Sequence, residues 1–124
     1  MGIQIPEMTY WVCTVTDVHD GDTVRFDIDQ GLGSHQHEWI RLKGVYAEEK
    51  PKPGWEEARQ VLAGLLGGHG PIFQITTERL ADPIQIRERR TFVRYVGRVR
   101  AIKTGFVINQ LMVDLGYIDK GTGT

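Results

Sequence analysis

The strongest constraint on the fold is a strict two-residue period at positions 23–29, where the sequence reads TVRFDID. Val24, Phe26 and Ile28 alternate with Arg25, Asp27 and Asp29. A helix would scatter these apolar side chains around its axis. A strand gathers them on one face, so the segment reads as a half-buried antiparallel strand with one wet side. The same period returns at 39–45 (WIRLKGV), with Ile40 and Leu42 set against Arg41 and Lys43. Upstream, 10–16 (YWVCTVT) is rich in aromatic and β-branched residues that suit a pleated surface. The turn signals Asp20-Gly21-Asp22 and Gly31/Gly33 separate the three runs. The first half therefore reads as a three-stranded meander.

Pro51, Pro53 and Gly54 exclude regular structure from 46–54. A helix follows, because Ala58, Val61, Leu62, Leu65 and Leu66 recur at helical spacing. Glu56 and Glu57 favour its positive N-terminal end, and Gly67-Gly68 are read as its stop. A fourth strand is expected at 71–77 and a fifth at 92–102, with Gly97 as a bulge or a place of close approach. Residues 78–91 read as polar and irregular, 106–115 as a short helix, and 120–124 as a frayed tail. The expectation is a mainly β (α+β) chain forming a single domain over 1–124, with its core at about 9–118. Five strands, one helix between strands 3 and 4 and a short C-terminal helix match a Greek-key barrel of the OB type. Other small α+β folds share this order.

The chain has 124 residues, enough for one modest core. No run approaches the ~20 apolar residues of a membrane-spanning helix, so no membrane partner is expected. The N-terminus has no basic segment leading into an apolar run. A single cysteine, Cys13, allows no intrachain disulfide. Together these favour an intracellular protein, and a monomer is expected. Cys13 lies in an alternating apolar run and reads as a small buried hydrophobe. The net charge of −1 is uninformative, but its distribution is not. Arg87, Arg89, Arg90, Arg94, Arg98 and Arg100 crowd 87–100 against one acid, Glu88. Such a cluster is either a solvated strand face or a polyanion contact.

Three short patterns can carry chemistry. Asp20 and Asp22 flank a glycine at the start of a strand, a turn that can present carboxylates to a hard cation or simply close on itself. Arg41 lies on a strand whose next loop carries Glu48 and Glu49. An arginine can fork a phosphate and a glutamate can orient a water, although a surface ion pair has the same composition. Arg98 follows Gly97 on a strand and can stabilise charge building on phosphorus. The four histidines are scattered. His35 and His37 flank Gln36 and read as surface residues rather than zinc ligands. Trp39 and Trp55 read as packing residues, although an indole can also stack on a base.

The order of these pieces resembles the staphylococcal-nuclease (thermonuclease) family. HDGDTV at 19–24, IRLKGVYAEE at 40–49, EEARQVLAGLL at 56–66, YVGRVRA at 95–101 and VINQLMVDLGY at 107–117 follow one another as they do there. Residues 27–38 look like the longer hairpin of phage and actinobacterial members. The resemblance implies an OB-fold nuclease that hydrolyses DNA or RNA with Ca2+. It implies calcium ligands at Asp22 and at the backbone carbonyl of Ala47. It implies phosphate-binding roles for Arg41 and Arg98, and a general-base or water-orienting role for Glu49. Two departures stand out. Tyr46 occupies the place of a second calcium aspartate, and Glu48 that of a proline. An alternative is a nuclease-like domain that binds nucleic acid or a protein without cutting.

Overall fold

The computed structural model describes residues 8–79 and 95–119. The expected roles of Arg87, Arg89, Arg90 and Arg94, the irregular reading of 80–91, the start of the fifth strand at 92–94 and the tail at 120–124 lie outside the described residues. The described chain is mainly β: a closed five-stranded barrel with two helices. The strands are β1 (Met8–Asp20), β2 (Thr23–Gly31), β3 (Ser34–Leu42), β4 (Phe73–Arg79) and β5 (Tyr95–Ala101). Helix α1 (Trp55–His69) lies between β3 and β4 in sequence, and α2 (Ile108–Asp114) follows β5. Around the barrel the order is β1-β2-β3-β5-β4. Every pairing is antiparallel except β3 with β5, which is parallel.

The two-residue period sets the inside of the barrel. Val24, Phe26, Ile28, Ile40 and Leu42 are buried, and so are Phe73, Ile75, Val99 and Ala101 from β4 and β5. Phe26 and Phe73 meet edge to face at 6.1 Å. Cys13 is fully buried in this core, and burial pushes its thiol up to about 12. At neutral pH it is an inert small hydrophobe, as its sequence context suggested. Gly97 is a close-approach site: a Cβ there would come within 2.9 Å of Ile40 and 3.2 Å of Ile75.

Several boundaries differ from the sequence reading, each for a physical reason. β1 runs to Asp20 rather than stopping at 16. It changes partner along its length, pairing with β4 at its start and with β2 thereafter. Irregularities between Val15 and Asp17 and between Val18 and Asp20 bend it and blur its alternation. β3 begins at Ser34, five residues before the expected start at Trp39. Ser34–His37 are exposed throughout, because the β2–β3 hairpin projects beyond the barrel and buries neither face. A strand wet on both sides has no period to read. The other end of β3 is Leu42, and Gly44 turns the chain at φ 79°. β4 spans Phe73–Arg79, two residues later than expected at each end.

Gly67-Gly68 do not stop α1, which continues to His69 and ends where Gly70 donates its N–H to the Leu66 carbonyl. Burial of Leu66 on the core and a 2.8 Å hydrogen bond between His69 and Thr104 hold the last turn against the entropic cost of the glycines. Ala58, Leu62 and Leu66 form its buried stripe.

Two glycines should respond oppositely to an added methyl. A Cβ at Gly21 would stand 2.6 Å from the Ala47 Cβ and 2.7 Å from the Ala58 Cβ, whereas Gly68 faces open space inside a helix. Gly21→Ala is expected to lower stability by roughly 1–3 kcal/mol through overpacking. Gly68→Ala is expected to raise it by about 0.5–1 kcal/mol. Urea unfolding midpoints check both, and equal effects of one sign would contradict this packing.

Candidate functional site

The acidic turn is not an ordinary surface hairpin. Asp20 pairs with Thr23 across a two-residue turn made of Gly21 and Asp22. Asp20 is 2% exposed and Asp22 4%. The turn is buried because Gly21 packs beneath α1 at Ala58 and against Ala47. A side chain at position 21 would lift the turn off both. The Asp22 backbone N–H donates to Asp20 Oδ1 at 3.1 Å. The Thr23 hydroxyl donates to Asp22 Oδ1 at 2.9 Å, and the Ala47 N–H donates to Asp22 Oδ2 at 3.3 Å. The Leu42 N–H donates to the Asp22 carbonyl at 2.8 Å. One residue thus ties the β1–β2 turn to the end of β3 and to the loop beyond it.

Arg41 joins this corner. It projects outward from β3, opposite Thr23 on β2 and Val96 on β5. Its Nη2 lies 4.0 Å from Asp22 Oδ2, and its side chain is 35% exposed. One carboxylate in a buried site therefore faces one partly wet guanidinium, with donors left for an anion from solvent. Burial raises the Asp22 carboxyl from its ordinary 3.8 to about 7. The adjoining Asp20 carboxyl adds to the rise, while Thr23 and Arg41 pull the other way.

The other expected site residues are less tightly gathered. Ala47 is buried and its N–H serves Asp22. Arg98 is exposed on the outward face of β5, across from Thr76. The register sets it two residues beyond Val96, the partner of Arg41, so the two arginines stand on one outer face of neighbouring strands. Glu49 is exposed, and its carbonyl accepts the Lys52 N–H in a turn. Among the described residues neither the Glu49 nor the Arg98 side chain makes a hydrogen bond or ion pair. Tyr46 is 46% exposed, and its N–H donates to the Tyr117 carbonyl.

Asp20, expected in the acidic turn but given no ligand role of its own, supplies the second buried carboxyl. One residue that shapes this corner was not singled out at all. Asn109 on α2 donates to the carbonyls of Lys43 (2.9 Å) and Gly97 (3.0 Å) and accepts the Val99 N–H (2.8 Å). It staples β3 to β5 beside Arg41 and Arg98. The signal was faint: Asn109 stands beside a second amide, Gln110, among Val107, Ile108, Leu111 and Met112, and the sequence does not say which of the two is buried.

His35 and His37 share the outer face with Asp27. His35 Nδ1 is 3.0 Å from Asp27 Oδ1, and His37 Nε2 is 3.9 Å away. Both histidines are exposed, as expected. Among the described residues no three of His, Cys, Asp and Glu gather to hold a metal, and no helix is long and apolar enough to cross a membrane. No protein-family model matches the chain, and no curated protein matches it.

The residues present fit a hard divalent cation in part. Two buried carboxyls side by side repel one another when both are ionised, and a cation removes that repulsion. Each oxygen that accepts one hydrogen bond keeps a second lone-pair direction. Calcium takes about six to eight oxygens, so waters and carbonyls would have to complete the shell.

The raised carboxyl predicts a pH dependence. A carboxyl whose folded value lies above its unfolded value stabilises the fold fully below the unfolded value, and that contribution is lost as pH rises through the folded one. Without divalent cations, wild type should therefore lose stability relative to Asp22→Asn between about pH 4 and pH 7. Chemical denaturation of both proteins across that range checks the sign. A difference that stays flat, or that grows in favour of wild type with pH, would contradict a carboxyl whose burial outweighs its hydrogen bonds and its pairing with Arg41.

Proposed function

We propose that this protein is a calcium-dependent nuclease acting on DNA or RNA phosphodiesters, built on an OB-type barrel. The observation that carries the reading is the corner itself: two buried carboxyls beside an arginine that faces solvent. The order of motifs that resembles the staphylococcal-nuclease family supports it independently. Asp22, with Asp20 beside it and the Ala47 carbonyl, would hold the ion. Calcium supplies a fixed positive charge that polarises the phosphate. Arg41 grips phosphate oxygens through its planar fork. Arg98, on the adjacent strand, neutralises charge that builds on phosphorus in the transition state. Glu49, on the exposed loop after Ala47, orients the attacking water and accepts its proton.

A second reading is a domain that binds nucleic acid without cutting it. Tyr46 favours this, since it stands half-exposed where the resemblance calls for a carboxylate. A phenol is a poor substitute for a carboxylate toward calcium.

Incubation with single-stranded DNA separates the two. The nuclease reading predicts cleavage that requires calcium, stops with a chelator and falls about 100-fold or more in Arg41→Ala. Binding without any cleavage over hours would contradict it and leave the second reading. In that case Tyr46→Asp is expected to create calcium-dependent cleavage.

A further inference from the structure

The outward face of β1–β2–β3 carries an aromatic group that the phosphodiester chemistry does not use. Trp39 lies on β3 two residues before Arg41 and on the same side of the strand. It is about 7 Å from Arg41 along the chain, the order of the distance from a nucleotide's phosphate to its base. Trp39 is half-buried, with part of its surface reaching solvent. The His19 ring meets it edge-on at 5.8 Å, and the Arg25 guanidinium lies 6.0 Å from its centroid. Arg25 is the direct cross-strand neighbour of Trp39, and Arg41 is that of Thr23, which follows the acidic turn. Running along the face, one meets an indole bracketed by a histidine and an arginine, then the phosphate-facing Arg41, then Asp22. The core does not need Trp39, because Ile40 beside it takes the buried position.

We propose that Trp39, bracketed by His19 and Arg25, is the platform on which the base next to the bound phosphate stacks. The outer face of β1–β2–β3 is then a single-strand track that leads into the Asp22–Arg41 corner. This inference rests on the proposed function. An indole accepts any base, because every base offers a π face. Arg25 is exposed, so its guanidinium is free to turn from the ring to a neighbouring phosphate when a base arrives. Asp17, the cross-strand partner of Arg25 on β1, limits the positive charge at that border. The track therefore depends on stacking more than on charge.

The test compares two dodecamers at fixed salt in the presence of a chelator, so that neither is cut: oligothymidine, and the same backbone with abasic sites. Trp39→Leu keeps apolar cover over the strand but lacks a π face, and Trp39→Phe keeps a ring. Fluorescence anisotropy of end-labelled strands reads the dissociation constants. Trp39→Leu is expected to weaken oligothymidine binding about 5- to 100-fold. It should leave abasic binding within about twofold, and Trp39→Phe should recover most of the loss. If wild type binds oligothymidine and Trp39→Leu binds it equally well, or weakens on both strands alike, the stacking role is overturned while the proposed function stands. If wild type binds neither strand, the track is overturned, and the calcium-dependent cleavage assay alone then decides the proposed function.

Discussion

The structure of the site depends on one arrangement, the burial of the Asp20–Asp22 turn between α1 and the loop at Ala47. A hairpin turn usually lies in water, where its polar groups are satisfied cheaply. Here Gly21 lets Ala58 and Ala47 come close enough to cover it. The two carboxyls are thereby removed from solvent, and the Asp22 side chain must find its partners inside the protein. It finds them in Thr23 and Ala47, with Arg41 nearby. The hydrogen bond from Leu42 to the Asp22 carbonyl fixes the end of β3 against the same turn. Position, charge and acidity of the corner all follow from that packing.

The second support is Asn109. Three hydrogen bonds from one amide join α2 to the parallel β3–β5 seam. This is the one parallel pairing in the barrel, and it is where Arg41 and Arg98 share an outer face. The segment after α2 adds to this, since Val45 bridges Ile118 and Tyr46 donates to Tyr117. The loop that carries Ala47 and Glu49 thus begins from a braced position, although Glu49 itself extends into solvent.

Much of the barrel was legible because its period is two wherever one face is dry. Val24, Phe26, Ile28, Ile40 and Leu42 announced their strands and all are buried. What escaped was what no local pattern encodes. The hairpin arm at Ser34–His37 is wet on both faces, so its strand had no alternation. Gly67 and Gly68 have the composition of a helix stop, yet packing of Leu66 carries the helix past them. The nearness of Asp22, Arg41 and Ala47 agrees with the grouping that the family resemblance implied. The burial of Asp20 and Asp22 was not foreseen, because it comes from a helix some 35 residues further on. Neither was the setting of Trp39, whose neighbours Arg25 and His19 come from other strands and are fixed by register.

The central claim is that two buried carboxyls beside Arg41 make a cation and phosphate corner. Crystals grown with calcium and a non-cleavable nucleotide diphosphate test it most directly. The account predicts anomalous density for calcium within about 2.3–2.6 Å of an Asp22 carboxylate oxygen, with a phosphate against Arg41. Calcium bound elsewhere, with Asp22 still held only by Thr23 and Ala47, would contradict it.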